Sequence, residues 1–539
     1  MVQPNTNRRR SSLLAIAACV SFFLAGQPFL SRLGMQDDET IIGCAFLEPR
    51  AAFLLHLRHA RLPIMFMSYL GTLKAWLYQP IFSLFGVSVW SLREPALLAG
   101  AVSIWFFFLF LRRVAGERAA LIGCGLLAAD SMYLLTVCFD WGPVALQHLL
   151  LVGGLFLLLR FYQKGSQLSL AAGFFLWGLA LWDKALAIWM LGAIGVAGWV
   201  VFPRQILRVT TSRRVAISAA AFAIGALPLL VYNVETKLST FRGPGFSADD
   251  LPSKARLLMY TAEGRGLYGW LVDEDWQTPR IHPPHGALEE ASLAISSAAG
   301  YPRRGLLLWA FALALLLAPL ARGSDLRAIL FALIVMVVQW AQMAVTVNAG
   351  GGVHHSILLW PLPQMLIGVS FAAASRRLGR AGRPVAACAT AVMMLAGALP
   401  INEYYRLAWQ NGGAINWTDA IDRLYAYVRT TPEKRILCLD WGIIEQLRLL
   451  GRGKLPLGII FDAVPADGSA PDPHRIAEAA GDPGDLFVDH TKDFKFFQGR
   501  GETFVKAAQT AGYRREMLTV ILDSWGRPTY EVYRFRAAQ

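Results

Sequence analysis

The sequence predicts an α-helical polytopic membrane protein with a small α/β domain at its carboxyl end. Of the 539 residues, 55% are hydrophobic and only 16% are charged, which is typical of a chain largely embedded in lipid. Apolar segments recur along residues 12–400, whereas the remainder carries charges of both signs in alternating helix and strand patterns. We therefore expect a transmembrane domain over residues 1–400 and an α/β domain over residues 401–539.

About eleven apolar segments are candidates for transmembrane helices, because about 20 apolar residues suffice to cross a bilayer. They comprise Ser12–Leu30, Leu92–Leu111, Ala119–Val137, Val144–Leu159, Leu168–Leu181, Leu186–Phe202, Val215–Tyr232, Leu306–Leu320, Ala328–Val347, Ser356–Ala374 and Val385–Leu399. Arg8–Arg10 precede the first segment as in a secretory signal, but we interpret that segment as an uncleaved anchor.

Basic residues are concentrated in alternate loops, and this asymmetry predicts the orientation of the chain. The positive-inside rule places those loops and the amino terminus in the cytoplasm. An odd number of spans then places the carboxyl-terminal domain outside, so we expect a multi-pass protein of the bacterial inner membrane with a periplasmic or extracellular domain. The net charge of +14 arises from these short clusters rather than from a basic groove, which excludes nucleic acid as a partner.

Two outer loops are long, and loops of such length are uncommon unless they are functional. They cover residues 31–91 and 233–304. Within the first, Ile64–Gly86 is rich in aromatic residues and carries Lys74 at its middle. This pattern predicts helices that lie in the membrane interface rather than a span.

Three adjacent carboxylates follow the first apolar segment, at Asp37, Asp38 and Glu39. An unpaired carboxylate in an apolar setting costs several kcal/mol, so these residues are poor candidates for packing. They are candidate catalytic residues, with a solvated loop cap as the simpler alternative.

Basic residues follow the acidic triplet in the same loop. These are Arg50, His56, Arg58, His59, Arg61 and Lys74. Acids followed by bases suit a site that deprotonates a nucleophile and neutralises an anionic leaving group such as a phosphate. The alternative is a helix with a solvated basic face.

Three further positions are candidates because ionisable groups at a membrane boundary often serve function. Asn348–Ser356 places a glycine run and two histidines, His354 and His355, at the outer end of a span, where they could bind an anion or form a plain interfacial turn. Asp140 and the pair formed by Asp183 and Lys184 lie at other outer turns, where simple helix-end ion pairs are the alternative.

The carboxyl-terminal segment predicts a small α/β domain. Helices are expected from Thr418 to Val428, over Ile443–Leu450 and over Glu502–Ala511; strands are expected over Ile436–Leu439, Leu486–Val488, Met517–Leu522 and Tyr530–Phe535. It contains no phosphate-binding glycine fingerprint. The six cysteines of the whole chain include no CxxC, which argues against a cysteine-based metal site.

Taken in order along residues 12–400, these motifs resemble the GT-C glycosyltransferases, in the branch of the protein O-mannosyltransferases and the lipid A aminoarabinose transferase. The resemblance rests on the Asp38-Glu39 pair in a long first outer loop, the aromatic stretch with Lys74, the Phe85-Gly86 to Leu92-Arg93 ending, the Trp182-Asp183-Lys184 turn and the glycine-rich loop with His354-His355.

The resemblance implies a sugar donor carried on a polyprenyl phosphate and an acidic residue of the first loop at the active site. Asp38 matches that residue and Glu39 its acidic neighbour, while Asp37 is additional, so either aspartate is a candidate base. Lys74, Arg58, Arg61, His354 and His355 would hold the donor phosphate. Two carboxylates and a lipid phosphate could hold a divalent cation but need not, so metal dependence is left open.

We therefore expect an inverting glycosyltransferase that passes a sugar to an acceptor hydroxyl on a glycan, lipid or protein. The alternative is a non-enzymatic transporter or flippase of lipid-linked sugars. Transporters usually show internal repeats and broken segments near the bilayer midplane, and neither is evident in this sequence. The sequence does not identify the sugar or the acceptor.

Overall fold

Helices make up most of the protein in its computed structural model, which describes residues 4–47, 53–58, 60–242, 245–274, 282–347, 349–431, 434–465 and 469–538. The helices of the transmembrane part are α1 Pro4–Gly26, α2 Asp37–Cys44, α3 Leu73–Phe85, α4 Val89–Ala128, α5 Ser131–Phe139, α6 Val144–Lys164, α7 Gln167–Asp183, α8 Ala187–Val201, α9 Pro203–Val209, α10 Ser212–Gly225, α11 Leu227–Glu235, α12 Ser239–Arg242, α13 Leu251–Glu263, α14 Ala287–Ala298, α15 Leu307–Leu317, α16 Ser324–Val345, α17 Val353–Ser356, α18 Leu362–Arg377 and α19 Gly382–Gln410. Each predicted apolar segment overlaps one or more of these helices.

Six helices in the described residues are long and apolar enough to cross a membrane, or up to eight if each bent pair forms one span. The bent pairs are α8 with α9, at 102°, and α10 with α11, at 71°. The second and third predicted segments share α4, which kinks at Gly116, where the backbone φ is +86°. The polytopic helical fold class is confirmed, whereas the number of eleven spans stays a prediction.

The segment predicted as the first outer loop contains a small sheet, which differs from the helices predicted there. Its strands are β1 Phe53–Leu57, β2 Ala60–Met67 and β3 Leu70–Gly71. They pair antiparallel in the order β1-β2-β3. Ile64–Met67 is therefore strand, and within Ile64–Gly86 only α3 is helical. Met65 pairs with Phe53 of β1 and with Gly71 of β3, and Met67 pairs with Leu70 of β3, so the neighbouring strands hold this segment extended.

The carboxyl-terminal segment forms the predicted α/β domain. Its elements are α20 Ala420–Val428, β4 Arg435–Cys438, α21 Ile444–Leu450, β5 Leu457–Ile459, α22 Pro473–Gly481, β6 Asp485–His490, α23 Arg500–Thr510, β7 Tyr513–Leu522 and β8 Pro528–Ala537. The strand order is β5-β4-β6-β8-β7, with parallel pairs around β4 and antiparallel pairs at β8. Every predicted element of this domain is present, and β5 and α22 are additional.

The inner strands β4 and β6 of this sheet are buried on both faces, whereas the edge strand β7 is largely exposed. Along β4 and just beyond it, Ile436 and Cys438 pack with the core of α20 and α21, whereas Leu437 and Leu439 pack with the core of α22 and α23. Side chains alternate between the faces of a strand, so a run of apolar residues fills both layers. The predicted boundary at residue 400 lies inside α19, so the domain division stays a prediction.

Candidate active site

The acidic triplet forms the first turn of α2, and its three carboxylates point in different directions. Successive residues of an α-helix are rotated by about 100°. Asp37 is buried towards the carboxyl-terminal domain, Glu39 is buried towards α4, and Asp38 between them is partly exposed. Gln36 begins the helix by accepting a hydrogen bond from the backbone N–H of Glu39 at 3.2 Å.

Glu39 forms a buried two-point ion pair with Arg93 of α4. The Nε of Arg93 lies 2.6 Å from Oε1 of Glu39, and its Nη2 lies 3.0 Å from Oε2. The same guanidinium donates hydrogen bonds to the carbonyl oxygens of Leu30, Leu33 and Gly34 at 2.5, 2.9 and 2.7 Å. Both carboxylate oxygens of Glu39 thus have their hydrogen-bond donor within the protein. The ion pair fixes α2 to α4 of the transmembrane part.

Asp38 is the carboxylate of the triplet that a substrate can reach. Burial raises the pKa of Asp38 to about 6, and the nearby Lys184 ammonium offsets part of that shift. A base with a pKa near 6 is deprotonated at neutral pH and still accepts a proton readily. These properties suit a general base.

Lys74 lies in the same region but is paired within the protein. Its Nζ lies 2.5 Å from Oδ2 of Asp140, and both side chains are buried. The other carboxylate oxygen of Asp140 accepts a hydrogen bond from the backbone N–H of Ala145 at 2.9 Å. The charge of Lys74 is therefore matched by an internal carboxylate.

The turn that carries Asp183 and Lys184 is joined by a hydrogen bond to the segment between β2 and β3. The backbone N–H of Ala185 donates to the Tyr69 carbonyl at 2.8 Å. Gly71 lies against this turn so closely that a Cβ atom there would be 1.9 Å from the Trp182 carbonyl oxygen. Glycine at this position therefore allows β3 to bring Lys184 towards α2.

Lys184 is a buried cation at the centre of the cluster. It interacts electrostatically with Asp183, Asp38 and Asp140, and burial lowers the pKa of its ammonium group to about 8. Its Nζ donates to the Gly142 carbonyl at 3.1 Å. No carboxylate among the described residues forms an ion pair with it, so its charge is available to an anion.

The two histidines of α17 border the same cluster. The indole N–H of Trp141 donates to Nδ1 of His354 at 2.9 Å, and the rings of His354 and His355 lie 4.1 Å apart. Both histidines interact electrostatically with Lys184. Since Nδ1 of His354 accepts this hydrogen bond, the ring proton is left on Nε2, where it can be donated.

The structure brings most of the predicted residues together. They form one cluster at the same end of the helices, which comprises Asp38, Glu39, Lys74, Asp140, Asp183, Lys184, His354 and His355. Arg58 and Arg61 instead lie exposed at the turn end of the β1-β2 hairpin, with no described ion pair to that cluster. Arg50, His59 and Asn348 lie outside the described residues.

Residues 71–232 match the family model of dolichyl-phosphate-mannose-protein mannosyltransferases. The chain is similar to ArnT from Cupriavidus metallidurans bound to undecaprenyl phosphate, with a TM-score of 0.56, 14% identity, and coverage of 96% of this chain and 97% of that one. The chain has a GT-C glycosyltransferase fold. The predicted resemblance to GT-C glycosyltransferases is therefore confirmed.

A second GT-C structure shows the same likeness. The oligosaccharyltransferase of Archaeoglobus fulgidus in its apo form matches with a TM-score of 0.54, 12% identity, and coverage of 99% of this chain and 75% of that one. Among curated protein sequences, none matches this chain. At these identities the GT-C comparison establishes the fold, and the roles of individual residues rest on the geometry above.

Sequence reasoning about individual roles missed three residues of this cluster: Arg93, Trp141 and Trp417. An arginine at the edge of an apolar segment is itself a signal for a buried partner, so Arg93 was detectable. Trp417, whose ring lies 5.7 Å from that of Trp141, reaches the site from the beginning of the carboxyl-terminal domain. No local pattern marks that contact.

Metal dependence stays open. Among the described residues, no group of three or more His, Cys, Asp or Glu side chains is arranged to hold a metal ion. The carboxylates of α2 have separate partners or surroundings, since Glu39 pairs with Arg93 and Asp37 faces the backbone of Glu445.

Proposed function

We propose that the protein is an inverting membrane glycosyltransferase that moves a sugar from a polyprenyl-phosphate carrier to an acceptor hydroxyl, on the periplasmic face of the bacterial inner membrane. The observation that carries the proposal is Asp38, a partly exposed carboxylate beside a buried cation in a chain with a GT-C fold. The undecaprenyl phosphate bound to ArnT supports the choice of carrier.

The reaction would be one direct displacement at the anomeric carbon. The acceptor oxygen forms a bond to that carbon while Asp38 takes its proton, and the bond from the carbon to the phosphate oxygen breaks. The configuration is inverted, and polyprenyl phosphate leaves with the bonding electrons. Proton transfer and charge neutralisation at the leaving phosphate both lower the barrier.

Lys184 is the residue we assign to the leaving phosphate. Its charge is not consumed by an ion pair with a described residue, and it lies close enough to Asp38 to influence that carboxylate. His354 can add a hydrogen bond from Nε2. Lys74 would contribute through its positive field, while Arg58 and Arg61 are left out because the structure places them on an exposed hairpin.

The proposal is tested by supplying the purified protein in detergent with a polyprenyl-phosphate sugar and an envelope extract as acceptor. A glycosyltransferase releases free polyprenyl phosphate, whereas a flippase moves the lipid and leaves it intact. Release that depends on the protein supports the proposal, and an intact donor in the presence of acceptor would contradict it. Mass spectrometry of envelope glycans from cells with and without the protein would identify the sugar.

Replacing Lys184 by methionine is expected to weaken donor binding, because a desolvated charge facing a phosphate is lost while side-chain volume is kept. We expect the KM for the donor to rise about tenfold or more, since a charge-assisted hydrogen bond contributes about 1.5–3 kcal/mol. Steady-state kinetics with a titrated donor measure this.

The comparison variant for that change is Lys74→Met, which removes a lysine whose ammonium is already paired with Asp140. It leaves Asp140 buried without its cation, so we expect a lower thermal midpoint in detergent, which Lys184→Met should not show to the same extent. An unchanged donor KM in Lys184→Met would remove Lys184 from the phosphate site.

The orientation is also open to test. A reporter fused to the carboxyl terminus that is active only in the periplasm is expected to be active, because the basic loops lie on the opposite side. The control is the same reporter placed at Thr210–Thr211 between α9 and α10, where it should be silent, since arginines of both helices flank this short connection. Activity only of a cytoplasmic reporter at the carboxyl terminus would reverse the proposed topology.

A further inference from the structure

The carboxyl-terminal domain contacts α2 directly, through α21. Leu449 of α21 packs in a buried cluster with Met35 and Cys44, which flank or belong to α2. A Cβ atom on Gly43 would lie 2.8 Å from the Leu449 side chain, so the two helices are in close contact. The helix that carries the acidic triplet is thus held between the transmembrane part and this domain.

Polar contacts connect the same two helices. Oδ1 of Asp37 accepts a hydrogen bond from the backbone N–H of Glu445 at 3.3 Å. The amide Nε2 of Gln446 donates to the Met35 carbonyl at 3.0 Å, and the thiol of Cys44 donates to the Glu445 carbonyl at 3.5 Å. These contacts tie the beginning of α21 to both ends of α2.

We propose that the carboxyl-terminal domain positions the catalytic helix, and that Asp37 is a positioning residue rather than the base. This inference rests on the proposed function, in which Asp38 is the base. Arg93 holds Glu39 on one side of α2 and α21 holds Asp37 on the other, so the carboxylate between them is fixed in direction.

Asp37 and Asp38 differ in burial, and this difference is the reason for giving them different roles. The Asp37 residue is only 4% exposed and its carboxylate faces protein, so it cannot reach an acceptor, whereas Asp38 is partly exposed. Burial and the nearby Glu445 carboxylate raise the pKa of Asp37 well above its usual range. The contact with the Glu445 N–H requires an oxygen acceptor and does not require a negative charge.

A matched pair of substitutions tests this requirement, because asparagine and leucine have nearly the shape of aspartate and only asparagine offers an oxygen acceptor at the same position. We expect Asp37→Asn to keep a kcat near that of the unmodified protein. Asp37→Leu should lower kcat by about 10–100-fold, since small displacements of a catalytic group have effects of that size. The KM for the donor and the acidic limb of the pH profile should not change.

An exposed change in the same domain, Glu516→Gln, is the control and should leave kcat unchanged. If Asp37→Leu does not fold, Gln446→Ala probes the same contact surface and should lower kcat with an unchanged donor KM. Equal activity of the asparagine and leucine variants, or an unchanged kcat in Gln446→Ala, would overturn the proposal.

Two other outcomes separate this inference from the proposed function. If Asp37→Asn is inactive while Asp38→Asn is active, Asp37 is the base and the positioning role is overturned, but the transferase proposal stands. If Asp37→Leu lowers kcat while Asp38→Asn is fully active, the domain positions a different base. The role of Asp38 in the proposed function then fails.

Discussion

Replacing Asp38 by asparagine is expected to lower turnover by about 10²–10⁴-fold, which is the usual contribution of a general base. Asparagine keeps the size of the side chain but cannot accept the proton of the acceptor hydroxyl. Donor binding should change little, because the base acts mainly in the transition state. Steady-state kinetics with separately varied donor and acceptor measure both effects.

The pH profile gives an independent check on the same residue. With a pKa of about 6, Asp38 is protonated at lower pH, so kcat/KM should fall as the pH is lowered through 6. Asp38→Asn should lose this limb along with most of the activity. An asparagine variant that keeps full turnover, or an acidic limb that persists in it, would remove Asp38 from the role of base.

Much of the fold follows from patterns that are local in the sequence. Hydropathy located the helices, and in the carboxyl-terminal domain the helical stripe and the short apolar strands predicted most elements, such as β6 and α23. The prediction that was wrong, a helix over Ile64–Met67, failed because the structure there depends on pairing between strands. Ile64–Met67 has a composition that suits either an interfacial helix or a strand, and only pairing with β1 and β3 selects the strand.

In the candidate site too, local sequence patterns predicted some features, and others depended on contacts between distant residues. The residue types and their order along the chain indicated a cluster of acids and cations, and the structure brings most of them together. The different environments of Asp37, Asp38 and Glu39 could not be read from three adjacent acids, because they depend on α21 and on Arg93. Lys74 likewise looked free in the sequence, since its partner Asp140 is 66 positions away.

Replacing Arg93 by methionine is expected to be strongly destabilising. Removing one partner of a buried ion pair costs about 3–5 kcal/mol, because the remaining charge stays buried without compensation. Here Glu39 would be left in that state, and the carbonyl oxygens that accept from Arg93 would lose their donor as well. Thermal unfolding in detergent should show a much lower midpoint, with loss of activity as α2 is released.

Variants at Glu39 separate the charge from the hydrogen bonds. Glu39→Gln leaves the arginine with its three carbonyl acceptors, so its thermal midpoint should fall less than that of Arg93→Met. Adding Glu39→Gln to Arg93→Met removes the stranded carboxylate and should restore part of the loss. The restoration should be incomplete, since the carbonyl oxygens remain without a donor. A double variant no more stable than Arg93→Met would show that the buried charge is not the source of the destabilisation.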